Sequence, residues 1–355
     1  MSIIVSVKAE HILTHLAGDD FVTAYGKEPT MRHHVIVKIA SESGEIGFGE
    51  ACPLPFTKDD DPVRIKSEID DQLALYLIGK DALNQEVYRD LTEIFPNVSG
   101  TARTGVDLAL YDLAGKIQCV PAYQLLGGLY RDHVEVAEAI GIGSPESVAN
   151  EAIKQVSLGI KTVKVKVGLD VERDIKMLSL LRDTVGDTMK IRADANTGYS
   201  FQQAVRVLRE AEKIGIEYME QPLAVDDYNG LRQLRKSSNV PIMVDESLYT
   251  FEDANKLVQN KAADMFGLKL MKHGGIYQSK RISMLAEENG IECVFISPWE
   301  TQIGIAAAVH LILSGANFNL AHEIGPGALK DDPFKGLVYS RGRYLPTHNP
   351  GFGIE

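Results

Sequence analysis

The sequence predicts an α/β protein, in which a (β/α)-type barrel follows an N-terminal α+β segment. Strand-like and helix-like stretches alternate over the last two thirds of the chain, which favours parallel βαβ units. Charged residues recur near the strand ends: Lys166 to Asp194 is 28 positions, Asp194 to Glu220 is 26, Glu220 to Asp245 is 25, and Asp245 to Lys269 is 24. Each interval accommodates one strand, one helix and two loops. A doubly wound open sheet would not explain a polar residue on nearly every strand, so the barrel is favoured.

The first part of the chain, residues 1–130, predicts the α+β segment. The stretch HHVIVKIASESGEIGFGEA indicates two antiparallel strands joined by a Ser/Gly turn. From Pro62 to Gly128 apolar residues recur at helical spacing, most clearly in ARTGVDLALYDLAGKIQC.

The barrel is predicted over residues 131–325. Ser144 and Pro145 fit the N-cap and first position of its first helix, and Gly159 ends that helix. The eight predicted strands begin at Val134 and lie in the stretches VEVAEAIGIG, TVKVKV, KIRADAN, EYMEQP, IMVDES, DMFGLKL, ECVFISP and FNLAHEI. Residues 326–355 remain as a C-terminal tail.

Composition narrows the class of protein. The 355 residues are 45% hydrophobic, enough for a sizeable core, and no apolar run reaches the length of about 18 residues that spans a bilayer. The net charge of −12 argues against a nucleic-acid or anionic-membrane surface. Three scattered cysteines do not form a disulfide framework, and the N-terminus lacks the pattern of a signal peptide. We expect a cytoplasmic protein with no nucleic-acid or membrane partner.

The strand TVKVKVG places Lys164 and Lys166 on one face and three valines on the other, because side chains alternate along a strand. The same rule puts Asp245 and Lys269 opposite the apolar face that packs on helices. In a barrel this polar face is the interior, near the C-terminal mouth where such enzymes carry out their chemistry. Lysines on the second and sixth strands would then lie on opposite walls.

Between these walls the third, fourth and fifth strands bring Asp194, Glu220 and Asp245 together. Three converging carboxylates repel one another unless a divalent cation binds between them. Oxygen ligands alone suit Mg²⁺, and the absence of His or Cys from the set argues against zinc.

Two adjacent lysines near a metal ion disfavour each other's charged form, so we expect a lysine pKa that falls toward neutrality. Such a lysine can act as a general base on the α-proton of a carboxylate substrate, while the metal stabilises the enediolate. Lysines on both walls can reach both faces of the α-carbon, which predicts racemisation or epimerisation.

The ordered motifs KVKVG, DAN, EQP, DES and KLMKHGG resemble the enolase superfamily, in particular its muconate-lactonising-enzyme subgroup. The stretch DLALYDLAGK followed by QLLGG resembles the helical part of that family's capping domain. The resemblance implies a modified (β/α)7β barrel, capped by an α+β domain that the N-terminal segment and the C-terminal tail form together. It also implies that Lys166 is the base on one face with Lys164 tuning its pKa, that Lys269 acts on the other face, and that the three carboxylates bind Mg²⁺, with Mn²⁺ as a possible substitute.

Within the subgroup, KLMKHGG is most similar to dipeptide epimerases and N-acylamino acid racemases. Dipeptide epimerases carry an Asp-x-Asp pair on the last strand to hold the substrate ammonium, whereas LAHEIGPG supplies Glu323 without a matching acid. A Glu there is nearer to cycloisomerase and racemase relatives. Specificity is expected from capping-domain loops, near residues 16–34 and 53–57. The candidate substrate-binding residues are Tyr25, Arg32, Asn196, Trp299, Glu300 and Glu323.

Two rival functions remain open. A cycloisomerase or lyase would use the same enolate but need only one base, and a non-catalytic protein would bind the metal and a carboxylate without exchanging the α-hydrogen. The partner is in each case a small carboxylate, and a homo-oligomer is expected. The exact substrate, an amino-acid derivative or a dipeptide-like molecule, is not encoded in the motifs.

Overall fold

The structure, a computed structural model, describes residues 2–18, 21–54 and 60–355. Its N-terminal part contains a three-stranded antiparallel sheet in the order β1-β4-β5. These strands and the short hairpin inserted between the first two are β1 (Ile4–His15), β2 (Val22–Thr23), β3 (Gly26–Lys27), β4 (Met31–Ser41) and β5 (Ile46–Ala51). Strands β4 and β5 pair from Val35–Ala51 to Ala40–Ile46, which confirms the predicted hairpin.

The helices of this part pack on the sheet or on one another. They are α1 (Pro62–Glu68), a π-helical turn (Ile69–Leu73), α2 (Ala74–Leu77), α3 (Glu86–Glu93), α4 (Gly100–Ile117) and α5 (Ala122–Leu125). Helix α4 lies so close to β5 that a Cβ atom at Gly49 would be 2.0 Å from the carbonyl oxygen of Gly105. Glycine is therefore required where helix and strand touch.

The barrel consists of seven parallel strands in one sheet, in chain order. They are β7 (Glu138–Ile140), β8 (Thr162–Lys166), β9 (Lys190–Asp194), β10 (Met219–Glu220), β11 (Ile242–Val244), β12 (Met265–Leu268) and β13 (Glu292–Phe295). The helices are α6 (Pro145–Ser157), α7 (Val171–Val185), α8 (Phe201–Ile214), α9 (Tyr228–Ser237), α10 (Phe251–Asn260), α11 (Leu270–His273), α12 (Ile276–Glu288) and α13 (Gln302–Ser314). Ser144 caps α6 through the backbone N–H of Ser147, as predicted.

The eighth predicted strand is reduced to two bridges that close the ring, Val136–His322 on one side and Ile296–Glu323 on the other. The backbone N–H of His322 donates to Glu135 at 2.8 Å, and Glu323 donates to Phe295 at 2.8 Å. The first strand also starts later than predicted. Residues Val134–Glu135 form a separate strand, β6, which pairs with the C-terminal tail instead of the barrel.

Side chains alternate along the strands, so the barrel has one apolar core between strands and helices and another in its interior. Val163, Val165 and Val167 are fully buried against the helices, as the period-two pattern predicts. A small apolar cluster of Tyr218, Met243, Met265, Val294 and Ile296 fills the interior. The polar residues of the mouth therefore rest on a packed apolar floor.

The C-terminal tail contacts both halves of the molecule. It forms β14 (Val338–Ser340) and β15 (Arg343–Leu345), and β15 pairs with β6. Beyond them, Gly351 donates its N–H to Val120 at 3.0 Å, and Phe352 donates to the Asp112 carboxylate at 2.8 Å. The tail thus packs on the capping helices as expected and also on the barrel. The domain limits at residues 130 and 325 stay a prediction.

Within the described residues, none of the helices is long and apolar enough to cross a membrane.

His322 makes barrel closure sensitive to acid. Its Nδ1 accepts the backbone N–H of Phe295 at 2.9 Å, and burial, with Arg192 and Arg131 nearby, lowers the pKa of His322 to about 3. Because the folded pKa lies below the unfolded value of about 6.5, this stabilisation is present above pH 6.5 and is lost as the pH falls. We expect His322 to lower the free energy of unfolding by up to about 1.4 kcal/mol per pH unit between about pH 6.5 and pH 4.

Denaturant unfolding at several pH values measures this slope. His322→Asn keeps an acceptor but does not titrate, so its slope should be shallower than that of the wild type. His348→Asn, at an exposed tail position, serves as the control. Equal slopes for the wild type and His322→Asn would contradict the assignment.

Candidate active site

The six predicted lysine and carboxylate residues meet at the C-terminal mouth of the barrel. Lys166 pairs in register with Asp194, and Asp194 with Glu220, so these three lie at one level on neighbouring strands. Asp245 directly follows β11, and Lys269 precedes α11 as its N-cap residue. Lys164, Lys166, Asp245 and Lys269 line one pocket, and Asp194 and Glu220 are fully buried next to them.

The two lysines of β8 have different surroundings. Lys164 is fully buried and forms ion pairs with Glu220 at 2.9 Å, Asp194 at 3.3 Å and Glu323. Lys166 reaches the pocket with 11% of its side chain exposed and pairs with Asp194 at 2.5 Å. Lys166 is therefore placed to contact a bound molecule, whereas Lys164 is placed to hold the acids and Lys166 in position.

A second lysine pair lies across the pocket. The ammonium group of Lys269 lies 2.6 Å from one oxygen of Asp245, and Lys272 binds the other oxygen and, at 2.7 Å, the backbone carbonyl of Asp245. Lys272 lies in the short helix α11 and is buried. Helix α4 fixes this helix, because Thr104 donates to the carbonyl of Leu270 at 2.8 Å.

The protein's own groups do not produce the expected fall in pKa at Lys164 or Lys269. Burial opposes the charge on Lys164, but Glu220, Glu323 and Asp194 outweigh it, so the pKa of Lys164 lies above its ordinary value. The pKa of Lys269 is likewise raised, because Asp245 outweighs burial. At Lys272, burial, with Lys269 nearby, lowers the pKa.

The carboxylates suit a hard divalent cation. The Oε1 atom of Glu220 is buried and has no hydrogen-bond partner in the part of the chain that is described. Burial, together with Asp194, raises the pKa of Glu220 well above its ordinary value, so this carboxyl lacks sufficient cationic neighbours. Such a buried oxygen is expected to find a partner. Asp194, Glu220 and Asp245 could hold Mg²⁺ through oxygen atoms alone.

The three acids do not bring one oxygen each within 4.8 Å of one another in the arrangement shown. Across the described residues, only His34, Glu50 and Cys52 form a group whose ligand atoms all lie within 4.8 Å of one another. That group is already satisfied, since Glu50 accepts from His34 at 2.7 Å and from the hydroxyl of Thr301 at 2.7 Å. Asp245 is instead drawn toward Lys269 and Lys272. Some of these carboxylates would therefore have to move before all three could hold one ion.

Unusual backbone angles follow two of the acids. Asn196, Thr197 and Gln221 have φ of 41°, 65° and 33°, a region that non-glycine residues rarely occupy. Gln221 uses its side-chain oxygen to accept the backbone N–H groups of Asp245 at 3.0 Å and Ser247 at 3.1 Å. The N–H of Thr197 donates to the carbonyl of Gln221 at 2.8 Å, so the two strained loops are tied to each other, and Gln221 fixes the backbone at Asp245.

Four predicted substrate-binding residues lie on the pocket wall: Tyr25, Asn196, Trp299 and Glu323. Tyr25 donates its hydroxyl to Glu246 at 2.8 Å, and Asn196 donates to the same oxygen at 2.9 Å. Trp299 has a φ of 74° and packs edge-on against Phe21 with ring centroids 4.9 Å apart. The inserted β2–β3 hairpin therefore closes over the barrel mouth.

The other two predicted residues do not line this pocket. Arg32 is buried and binds Glu28 at 3.1 Å and the carbonyl of Pro298 at 3.0 Å, so it anchors the loop that carries Trp299. Glu300 accepts a hydrogen bond from Ser297 and lines a neighbouring cavity. Burial and the nearby Glu50 raise the pKa of Glu300 to about 8. Both positions were predicted from their neighbourhood in the sequence, which does not reveal side-chain direction.

Sequence reasoning missed several acidic residues of the wall, namely Glu28, Glu138 and Glu246. Glu246 adjoins Asp245 in the DES motif, which was a usable signal. Glu28 lies within the predicted specificity stretch 16–34 but was not singled out there, and Glu138, on the first barrel strand, had no signal. The predicted specificity loops include residues 19–20 and 55–57, which lie outside the described residues. Leu54, at the edge of the second loop, lines the pocket.

Both halves of the chain match known family profiles. Residues 16–127 match the mandelate racemase/muconate lactonizing enzyme N-terminal domain, and residues 147–355 match the enolase C-terminal domain-like family. The L-Ala-D/L-Glu epimerase of Bacillus subtilis is 37% identical over 325 residues, covering 90% of this chain and 88% of the relative. The N-succinyl-L-Arg/Lys racemase of Bacillus cereus is 31% identical, covering 94% and 90% of the two chains.

Solved structures agree with this assignment. The dipeptide epimerase of Enterococcus faecalis, complexed with Mg and the dipeptide L-Leu-L-Tyr, superposes with a TM-score of 0.92 at 31% identity and covers 99% of each chain. The substrate-liganded L-Ala-D/L-Glu epimerase of Bacillus subtilis gives a TM-score of 0.94 at 35% identity, over 99% of this chain and 98% of the other. The barrel with its capping domain is thus confirmed, and the chain belongs to the mandelate racemase/muconate lactonizing enzyme family of the enolase superfamily.

Proposed function

We propose that the protein is an Mg²⁺-dependent racemase or epimerase that moves the α-proton of an amino-acid-derived carboxylate. The observation that carries this proposal is the arrangement of Lys166 and Lys269. They reach one pocket from the second and sixth barrel strands, with three acids on the strands between them. The epimerases and racemases among the relatives support the same reaction class.

In this proposal Lys166 takes the α-proton on one face of the substrate carbon and Lys269 returns one on the other face. Each must lose its proton to act as a base, so the acids that now hold the ammonium groups must be redirected. Lys164 is a positioning residue, because its contacts are to Asp194, Glu220 and Glu323 and it is only 1% exposed. Lys272 is likewise a positioning residue, because it holds the carboxylate of Asp245 on the opposite side of the pocket.

Asp194, Glu220 and Asp245 are the proposed ligands of one Mg²⁺ ion, and Mn²⁺ is a possible substitute. The unpaired oxygen of Glu220 and the all-oxygen donor set support this choice. When bound, Mg²⁺ would supply Lewis-acid stabilisation of the negative charge that develops on the substrate carboxylate. The Mg-complexed Enterococcus faecalis dipeptide epimerase also supports it.

The substrate class is an amino-acid derivative with an α-hydrogen next to a carboxylate. The named relatives act on dipeptides and on N-succinylated basic amino acids. Trp299, Tyr25 and Asn196 are the proposed contacts for the part of the substrate beyond the reacting carbon. Glu323 is proposed to act through Lys164, since it also accepts the hydroxyl of Tyr218 at 3.0 Å. A cytoplasmic location and a homo-oligomeric state stay predictions.

Metal binding should depend on Glu220. We expect Mg²⁺ to raise the unfolding temperature of the wild type, since a ligand at about 100 times its Kd adds about 2.7 kcal/mol of stability. Glu220→Gln keeps the volume but removes the charge, so the shift should disappear. Thermal unfolding with increasing Mg²⁺ measures it, and Glu287→Gln, an exposed glutamate on α12, is the matched control. An unchanged shift in Glu220→Gln would contradict the ligand assignment.

Proton exchange tests the reaction itself. In D₂O with Mg²⁺ and a panel of chiral dipeptides and N-succinyl amino acids, we expect deuterium to enter at the α-carbon with loss of configuration. Lys166→Ala should block exchange from one configuration and Lys269→Ala from the other, each by about 100-fold or more, because each lysine serves one face. Mass spectrometry and chiral chromatography measure both effects.

Lys256→Ala, at an exposed helix position, is the control and should exchange normally. Deuterium in an eliminated or cyclised product would identify a lyase or cycloisomerase. Metal binding without exchange of any substrate would point to a binding protein, and symmetric loss in both lysine variants would contradict the two-base assignment.

A further inference from the structure

Glu138 is a pocket residue without a cationic partner. It lies at the start of β7 and lines the same pocket as Lys166 and Lys269. The structure gives its carboxylate no hydrogen bond or ion pair with any residue of 2–18, 21–54 and 60–355. Lys164, Lys166, Lys269 and Lys272, in contrast, all form ion pairs with other acids.

The route by which Glu138 reaches the pocket depends on Gly325. Glu138 pairs with Val163, whose side chain faces the helices, so Glu138 leaves its strand on the side away from Lys164. A Cβ atom at residue 325 would lie 1.8 Å from the Oε1 atom of Glu138. The carboxylate therefore fills the space that a side chain at 325 would occupy, and only glycine leaves that space open.

The charges around Glu138 favour a cation from outside the protein. Its charged neighbours are Glu323 and Glu151, both acidic, and burial together with these neighbours raises the pKa of Glu138 to about 7. Glu323 is different, because it is held by Lys164 and by the hydroxyl of Tyr218. Of the two acids, Glu138 is the one whose negative charge lacks compensation, and a half-buried carboxylate on a pocket wall can bind a cation through charge-assisted hydrogen bonds.

We propose that Glu138, admitted by Gly325, binds a positively charged ammonium or guanidinium group of the substrate, and that the substrate is therefore cationic at the end remote from the reacting carboxylate. The group has two sources: the free α-ammonium of a dipeptide, or the basic side chain of an N-acyl amino acid. This inference rests on the proposed function. In this proposal Glu138, on the first strand, takes the role of the second acid that the last-strand segment LAHEIGPG lacks.

Matched substrate pairs test it in the Mg²⁺-loaded protein. A dipeptide is compared with its N-acetyl derivative, and N-succinyl-lysine with N-succinyl-norleucine, by the rate of α-deuterium exchange. We expect the wild type to prefer the cationic member of one pair by about 10- to 100-fold in kcat/KM, mainly through KM. The pair that shows the preference identifies the source of the charge.

Glu138→Gln should lower the ratio of kcat/KM between the cationic and neutral members to about twofold or less, because it removes charge but little volume. Gly325→Ala should act in the same direction by displacing the carboxylate. Glu146→Gln, an exposed glutamate in the first turn of α6, should keep the wild-type preference.

Calorimetric binding of the same pairs gives a readout that does not require turnover. The inference is overturned if the wild type binds both members of each pair equally, or if Glu138→Gln weakens the cationic and neutral members alike. Absence of exchange with all four compounds, while the cationic member still binds in a Glu138-dependent way, would overturn the proposed reaction and leave the inference standing.

Discussion

The crowding of three carboxylates on neighbouring parallel strands is the constraint on which the mouth of the barrel depends. Asp194, Glu220 and Asp245 are buried together, and ionised groups in a low-dielectric site must be neutralised. The chain supplies the neutralising positive charge with two pairs of lysines, one pair on each side of the acids. The same lysines are the groups that would exchange protons with a substrate, so stabilisation of the site and its proposed chemistry use one set of ion pairs.

The capping part of the molecule completes this site. Helix α4 holds the segment that carries Lys272, Arg32 holds the loop that carries Trp299, and the β2–β3 hairpin brings Tyr25 to Glu246. Each of these contacts joins residues more than 150 positions apart in sequence. The barrel alone would present acids and lysines, and the cap adds the wall against which a substrate would lie.

Sequence patterns were sufficient for features that repeat. The spacing of charged residues predicted the parallel strands, and the alternation of Val163 and Lys164 predicted which face is interior. Features without periodicity were not predictable. The last strand is reduced to two bridges, because only the adjacent residues His322 and Glu323 pair with the neighbouring segments. Lys272 and Arg32 are buried by long-range contacts, and Glu138 reaches the pocket only because Gly325, distant in sequence, lacks a side chain.

The tail also has a consequence for how the chain folds as it is synthesised. Gly351 and Phe352 bond to Val120 and Asp112 in the capping helices, more than 220 positions earlier. The contacts between tail and cap therefore form only after almost the whole barrel has left the ribosome, and the part of the cap that the tail covers stays exposed until then. Such a high contact order slows folding and favours association with chaperones.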